Sequence, residues 1–507
     1  MEAALQELRD RLAEVADLSR TSRLLFWDQQ VMMPPGGAKA RSEMVGTLSR
    51  LIHDKFVDER VGELLETLRP HEESLDAESD DAALIRVTRR DYEKAVRVPT
   101  DLRVEMSRAS STALPVWNKA KQESDFALLL PYLRENMELR KRYVDCFDPA
   151  DEPYDILLDD FEPQMKTAEV RSVFETLKGE LLPFIAEVVE RNDQIDTSMF
   201  SGTFDPERQR EVGREVLEHF GFTDDRFRMD PTAHPFATNT CTTDIRLTTH
   251  YREQDLNTLF ASMHEFGHGI YEAGVDPALE RTPLCRGVSL GLHESQSRMW
   301  ENLVGRSKPF WKFFLPTLQK AFPSQFGGVE LDQFYAAINK VEPSLIRIDA
   351  DEVTYNFHVI LRFELEQEIL AGMDLADLPE AWNAKMREYL GVEPQDDAHG
   401  VLQDVHWSGG HIGYFPTYSL GNVISVQIWE KAIEAMPDLY EQFERGEFSD
   451  LREWLRENLY RHGRKFTPQE TLAKVVGGPL DAAPYVRYLK QKLGDIYGIE
   501  AAAGARA

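Results

Sequence analysis

The chain has 507 residues, with 88 acidic against 58 basic side chains and a formal net charge of −30. This excess of acid argues against nucleic acid as a partner, because binding to phosphates needs clustered positive charge. The sequence has no apolar run that approaches the length of a membrane span, so we expect no membrane association.

The three cysteines, Cys146, Cys241 and Cys285, are odd in number and have no paired spacing. This pattern indicates neither a disulfide framework nor a cysteine zinc site, and we therefore expect a reducing, cytoplasmic location. The basic residues comprise 40 Arg and 18 Lys. Together with the acidic excess, this bias indicates either a surface adapted to high salt, where screening suppresses self-repulsion, or a merely acidic and arginine-rich proteome.

Amphipathic helical patterns fill the sequence from its start to about residue 200. The first of them has apolar residues at Leu5, Leu8, Leu12, Val15 and Leu18. Between Asn192 and Asp205 the pattern is interrupted, which predicts a boundary between two lobes. Without a flexible linker or repeat, we expect one domain over residues 1–500, with a helical lobe at 1–200, a second lobe at 201–500 that carries the motifs, and a tail at 501–507.

A strand-like run from Thr242 to Thr248 predicts a small β-sheet in this mainly α-helical chain, with an edge available for backbone pairing. It is followed by His264-Glu265-Phe266-Gly267-His268, whose two histidines share one helical face and can hold one metal ion. Glu265 flanks that face and can reach a water at the metal without being a ligand.

The helix around this motif is predicted to be buried, because apolar residues surround it at helical spacing. They are Leu259, Phe260, Met263, Phe266 and Ile270. Two unpartnered histidines would be unfavourable in a buried helix. The combination of spacing and burial favours a zinc site over a pair of satisfied core histidines.

A catalytic zinc takes three protein ligands and leaves a fourth position for water. The best third candidate is Glu294, on a second helical pattern beyond the loop that follows His268. His293 is the rival ligand, but its side chain projects about 100° away from that of Glu294, so we do not expect both to bind. Glu272 continues the stripe of His264 and His268 by one turn, and is interpreted either as an exposed helix charge or as an acceptor that orients an imidazole.

Further segments stand out along the chain: His234 to Phe236, Asp244 to Thr248, Ile346 to Asp351 and Gly400 to Trp407. Together with residues 264–268 and 293–296, they resemble, in the same order, the motifs of the thermostable carboxypeptidase (carboxypeptidase Taq) family of zinc metallocarboxypeptidases. The resemblance runs from residues 26–37 to about residue 498. The positions of the metal motif show no departure from the family pattern.

This resemblance implies a mainly helical, two-lobed peptidase with a deep substrate groove, usually a homodimer, which removes single residues from the C-terminus of peptides. By motif, His264, His268 and Glu294 correspond to the zinc ligands, and Glu265 to the general base and acid. The residue types suit that chemistry, since zinc lowers the pKa of a water whose proton Glu265 can accept and pass to the leaving amine. The same ligand set would also accept cobalt or manganese.

A developing oxyanion needs hydrogen-bond donors, and the segment from His406 to Tyr418 is rich in them. We favour His406 and Tyr414 as catalytic residues, with Tyr418 as an alternative at the substrate. The competing interpretation is that each of these residues only packs.

Recognition of a free C-terminal carboxylate suits a guanidinium fork, for which Arg347 is the first candidate and Arg246, beside Asp244, the second. All three are counted as substrate-binding candidates. They could instead be structural, because Asp244 and Arg246 lie two residues apart on one side of a predicted strand, and Arg347 has Asp349 and Asp351 nearby as ion-pair partners.

Two other classes of protein stay open. An endo-acting zinc oligopeptidase of related helical architecture would carry the same metal motif, and cleavage of peptides with amidated C-termini would distinguish it. A non-enzymatic peptide-binding protein would need the ligands but not the base, so the presence of Glu265 argues against it.

Overall fold

The helical patterns of the first 200 residues form helices in the computed structural model, which describes residues 1–499. They are α1 (Glu2–Val31), α2 (Ala38–Phe56), α3 (Glu59–Ser74), α4 (Asp80–Arg97), α5 (Thr100–Glu123), α6 (Phe126–Val144), α7 (Pro153–Leu158) and α8 (Thr167–Val189). Asp58 and Ser79 cap α3 and α4 by accepting hydrogen bonds from backbone N–H groups of the first turn. The proposed tail at 501–507 lies outside the described residues.

Two short 3-10 turns, Asn192–Gln194 and Ser198–Phe200, separate α8 from the next helix, where the sequence pattern is interrupted. The helices that follow are α9 (Pro206–Phe220), α10 (Asn257–Gly274), α11 (Leu290–Arg298), α12 (Lys308–Ala321), α13 (Pro323–Phe326), α14 (Leu331–Ile338), α15 (Tyr355–Leu370), α16 (Leu378–Leu390), α17 (Pro416–Ala435), α18 (Leu439–Glu444), α19 (Ser449–Asn458), α20 (Pro468–Val476) and α21 (Ala483–Tyr497). The prediction of a mainly α-helical fold is confirmed.

A three-stranded sheet lies against α10, as the sequence predicts. Its strands are β1 (Phe227–Pro231), β2 (Ala237–Cys241) and β3 (Asp244–Thr249), in the order β1-β3-β2. β3 pairs with β1 in parallel and with β2 in antiparallel orientation, so β2 is an edge strand. The predicted strand began at Thr242, but Thr242 and Thr243 form the turn between β2 and β3.

Apolar side chains form two cores. The larger one includes buried residues from Val98, between α4 and α5, to Tyr497 in α21, and so lies on both sides of residue 200. The smaller one joins α1, α3 and α4 to the segment from Val275 to Cys285, which directly follows α10. Helix α10 belongs to the larger core, to which it contributes Phe266 and Ile270, and it leads directly into the segment that belongs to the smaller core. Among residues 1–499, no helix combines the length and the apolar character that a membrane crossing needs.

Candidate metal centre

Helix α10 carries His264, Glu265 and His268 and is packed closely against its neighbours. On one face, Gly267 approaches the backbone of α11: a Cβ at this position would lie 2.5 Å from the carbonyl oxygen of Gln296. Only glycine allows this approach, because any larger residue would force the two helices apart. The side chain of Glu265 is buried, with 7% exposure. The motif is thus held rigidly beside the helix that carries Glu294.

Helix α11 brings Glu294 to the two histidines. It begins at Leu290, and the hydroxyl of the preceding Ser289 caps the helix by accepting a hydrogen bond from the N–H of Leu292. On its other side, α17 presents Gly421, where a Cβ would lie 2.6 Å from Cγ of Glu294. The position of the Glu294 carboxylate is therefore set by backbone contacts with both α10 and α17.

The three predicted ligands converge in space. Oε2 of Glu294 lies 3.6 Å from Nε2 of His264 and 3.4 Å from Nε2 of His268, and one donor atom from each residue lies within 4.8 Å of the others. Two ligand atoms about 2.1 Å from one ion at a tetrahedral angle are about 3.4 Å apart. The donor set and its spacing therefore fit a four-coordinate metal ion with one position left for water.

The imidazole of His264 is oriented by an acid that the sequence analysis missed. Its Nδ1 lies 2.9 Å from Oε2 of Glu301, which belongs to a π-helical turn over residues 299–304. Arg298 joins the two acids, donating from Nε to Glu294 at 2.7 Å and from Nη1 to Glu301 at 3.3 Å. Arg298 and Glu301 follow Glu294 by four and seven residues, so helical spacing alone could have identified them.

The imidazole of His268 is oriented by a two-residue relay. Its Nδ1 lies 2.6 Å from Nδ1 of His293, and Nε2 of His293 lies 2.9 Å from Oε1 of Glu272. This order assigns a proton to Nδ1 of His268 and to Nε2 of His293, which leaves Nε2 of His268 free to bind a metal. His293, the rival ligand, thus contacts Nδ1 of His268. Glu272 contacts the imidazole of His293, in keeping with the interpretation of Glu272 as an acceptor that orients an imidazole.

The pKa shifts of the buried groups are consistent with these hydrogen bonds and with binding of a metal ion. Burial raises the pKa of Glu265 to about 7, and lowers that of His268 to about 4, so the latter imidazole is neutral. Burial also acts on Glu294, but Arg298 and His264 outweigh it and hold the pKa of this carboxyl well below its ordinary value. The carboxylate of Glu265 forms no hydrogen bond to residues 1–499, and so is free to face a water.

These groups open onto a cavity of about 590 Å³. Glu265, Tyr414, Tyr418 and Arg347 line it, together with the segment from His234 to Ala237. His406 lies one layer deeper and is not among the lining residues; its Nε2 is 3.3 Å from the hydroxyl oxygen of Tyr418. The structure thus gathers both candidate tyrosines and the first candidate arginine around the metal ligands.

Arg347 is buried and paired, but not with the acids that the sequence offered. Its Nε and Nη2 donate to one carboxylate oxygen of Asp404, at 3.1 and 2.8 Å, and its Nη1 donates to the hydroxyl of Tyr355 at 2.8 Å. The suggested pairing with Asp349 or Asp351 is wrong: Asp351 accepts hydrogen bonds from the turn that starts α15. Arg347 is nevertheless among the residues that line the cavity.

Arg246 and Asp244 lie on β3 and pair with each other. Nε and Nη2 of Arg246 donate to the two oxygens of Asp244, both at 3.0 Å, and the guanidinium lies 4.4 Å over the ring of Trp27. Within residues 1–499, neither residue lines the cavity at the metal ligands. Their substrate-binding role stays a prediction.

Two histidines on one helix and a glutamate on the next, gathered beside the unpaired carboxylate of Glu265, are typical of metallopeptidases. The chain belongs to the carboxypeptidase Taq (M32) family of metallopeptidases, whose family model matches residues 7–493. The family resemblance found in the sequence is confirmed, and the enzyme is a metallocarboxypeptidase that acts on peptides.

The chain is similar to known carboxypeptidases over nearly its whole length. The chain is 40% identical to thermostable carboxypeptidase 1 of Thermus thermophilus, covering 98% of this chain and 99% of that protein. It is 37% identical to carboxypeptidase 1 of Bacillus subtilis, covering 97% and 98%. Among solved structures, the M32 carboxypeptidase of Deinococcus radiodurans matches with a TM-score of 0.94 and 40% identity, covering 98% of this chain and 100% of that chain.

Proposed function

We propose that the enzyme is a zinc-dependent carboxypeptidase that releases single amino acids from the C-terminus of peptides. The observation that carries this proposal is the convergence of His264, His268 and Glu294 within 4.8 Å, with Glu265 beside them at the wall of one cavity. These three residues would hold the zinc ion. When bound there, zinc supplies a Lewis acid that lowers the pKa of a water and polarises a carbonyl group.

Glu265 is the proposed general base and acid. Its carboxylate accepts the proton of the attacking water and then delivers it to the nitrogen of the leaving amino acid. The hydroxyl of Tyr414, on the cavity wall, is the proposed donor to the developing oxyanion. His406 is proposed to contribute through Tyr418, since its Nε2 contacts the hydroxyl of that tyrosine. His264 and His268 keep their lone pairs aimed at the metal because Glu301 and His293 hold their Nδ1 protons.

Arg347 is the proposed site for the terminal carboxylate of the substrate. Asp404 is shared between Arg347 and Arg362, whose Nε donates to it at 2.7 Å, so two positive charges face one negative charge. Arg347 lines the cavity, and its Nη1 donates one hydrogen bond to Tyr355, which leaves a second hydrogen of Nη1 for the proposed carboxylate. Arg246 with Asp244 is the second candidate for this role.

Several broader expectations belong to this proposal. Cobalt or manganese could replace zinc in the same ligand set. A single peptidase domain over residues 1–500, with lobes at 1–200 and 201–500, is supported by the larger core, which joins residues on both sides of position 200. A cytoplasmic location is supported by the three free cysteines. A homodimer rests on the family resemblance, and light scattering would test it.

The test is product analysis by mass spectrometry on N-acylated peptides with free and with amidated C-termini. We expect stepwise loss of single C-terminal residues, abolished by amidation and by a chelator, and restored by zinc. Glu265→Gln should lower turnover by about 10²–10⁴-fold without loss of the metal. Internal cleavage that survives amidation would identify an endo-acting oligopeptidase and remove the proposed role of Arg347. Binding without any turnover after metal reloading would indicate a peptide-binding protein.

A further inference from the structure

A second cavity, of about 620 Å³, lies on the far side of His268. It shares Ala237, His268, Leu290 and His293 with the cavity at the metal ligands, so the two spaces adjoin at the proposed zinc site. Its other walls come from α1, α4, the loop after α7, β2 and the segment that leads into α11. Its volume is in the range of ligand-binding pockets.

The charged residues of this cavity are mainly basic. Six cationic side chains line it: Arg23, Arg90, Lys94, Arg103, Arg286 and Arg464. Its acidic lining residues are four: Asp91, Asp159, Asp160 and Glu272. In a chain with a net charge of −30, this is a local reversal of sign. We call this second cavity the basic chamber.

The carboxylates of the basic chamber are already occupied. Asp159 accepts from Arg90 at 2.9 Å, and Lys94 lies between Asp159 and Asp160. Arg464 forms a bidentate pair with Asp91, at 2.8 and 3.1 Å. The fourth acid, Glu272, contacts His293 in the relay to His268. No lining acid is therefore left for the remaining three arginines.

Those three arginines have no carboxylate partner within residues 1–499. Arg23 donates to the side-chain oxygen of Asn239 at 2.9 Å, and Arg103 donates to the backbone oxygen of Ala95 at 2.9 Å. The guanidinium of Arg286 makes neither a hydrogen bond nor an ion pair with the described residues, and Arg286 is an exposed residue that lines the chamber.

The fold gains little from Arg286. The positive charge of the neighbouring Arg464 lowers the pKa of Arg286 to about 10, so Arg286 stays charged at neutral pH but is repelled by Arg464. Arg286 also directly precedes Gly287, where a Cβ would lie 2.6 Å from the ring of His293. An arginine that the protein leaves unpaired, beside the relay that orients a metal ligand, is well placed to meet an anionic group of the substrate.

We propose that the basic chamber binds acidic side chains of the substrate on the N-terminal side of the scissile bond. The enzyme thus prefers peptides that carry Asp or Glu a few residues before the C-terminus. This inference rests on the proposed function, because it requires the terminal carboxylate to lie in the other cavity, at Arg347. Arg23, Arg103 and Arg286 then form charge-assisted hydrogen bonds with the upstream carboxylates.

The sheet edge gives the substrate this direction. Residues 234–237 border the cavity at Arg347, whereas Ala237, Thr238 and Asn239 border the basic chamber. A peptide that pairs antiparallel to β2 has its C-terminus beside residues 234–237 and its N-terminal part beside Thr238 and Asn239. The upstream side chains therefore enter the basic chamber.

The test uses N-acetylated pentapeptides with one C-terminal residue in common and either Asp or the isosteric Asn at one of the three positions before it. The measurement is kcat/KM for release of the C-terminal residue by the zinc-loaded enzyme. We expect about a tenfold preference for the best-placed Asp peptide. Arg286→Gln and Arg23→Gln should each reduce this preference towards one, because they lower kcat/KM for the Asp peptides more than for the Asn peptides. Arg456→Gln, which removes an exposed arginine of α19, is the matched control and should keep the preference.

Several results would overturn the inference. They are equal rates for Asp and Asn peptides in the wild type, a preference that survives in both arginine variants, and a loss in Arg286→Gln that is equal for both peptides. The thermal midpoint of Arg286→Gln should be equal to or above that of the wild type, and a lower midpoint would assign Arg286 to the fold. Failure of the proposed function looks different, because no peptide of either charge would then lose a single C-terminal residue.

Discussion

Replacing Gly421 with alanine tests whether close packing of α17 fixes the metal site. The new Cβ would lie 2.6 Å from Cγ and 2.7 Å from Cβ of Glu294. Carbon atoms normally approach to about 3.5–4.0 Å, so α17 and Glu294 must separate by about 1 Å. Metal–ligand distances tolerate only about 0.2 Å, so a shift of this size removes Glu294 from the coordination sphere.

The assay for Gly421→Ala is a zinc titration against a competing chromophoric chelator, with thermal unfolding of the metal-free protein in parallel. We expect at least a tenfold loss of zinc affinity, which is about 1.4 kcal/mol, and about 1–3 kcal/mol of destabilisation from overpacking. Gly179→Ala in α8 is the matched control, because its Cβ meets no atom within 4 Å. This control should bind zinc normally and gain about 0.5–1 kcal/mol of stability. Wild-type zinc affinity in Gly421→Ala would refute the reasoning.

Three further predictions concern charged groups. Glu301→Gln removes the anion that holds the Nδ1 proton of His264, and should lower zinc affinity about 10–100-fold, whereas the exposed control Glu430→Gln should not change it. Burial raises the pKa of Glu162 from 4.5 to about 7, so the folded chain keeps a proton that the unfolded chain has released. Wild-type stability should therefore fall relative to Glu162→Gln by about 3 kcal/mol as the pH rises from 4.5 to 7, and parallel stability curves would contradict this. If the acidic, arginine-rich surface is adapted to high salt, molar KCl should raise the unfolding midpoint, and an unchanged or lowered midpoint would exclude that adaptation.

Local periodicity accounts for the part of the site that the sequence predicts. His264 and His268 share a helical face because they are four residues apart, and the ring of apolar residues around them marks that helix as buried. Glu294 was then found from the need for a third ligand on a neighbouring helix. The grouping of these three residues in space matches that expectation.

Contacts between distant segments account for what the sequence did not predict. The structural alternative for Arg347 relied on acids two and four residues away, but its partner Asp404 comes from a loop 57 positions along the chain. The interpretation of Glu272 as an acceptor that orients an imidazole left the imidazole open, and its identity as that of His293 depends on how the loop before α11 folds back. Periodicity carries no information on such pairs, since it describes one element at a time.

Because the molecule is acidic overall, the proposed binding of acidic peptides depends on the arginines of the basic chamber. A chain with a net charge of −30 repels acidic peptides at low ionic strength, and that repulsion acts over about 10 Å at 0.1 M salt and over about 3 Å at 1 M. Arg23 and Arg286 act at contact distance within the basic chamber, where mobile ions screen less effectively. Rising salt therefore weakens the long-range repulsion of acidic peptides more than it weakens their binding in the basic chamber. Because the molecule is negative overall and the basic chamber is positive, high salt favours the binding of the acidic peptides that the chamber is proposed to select.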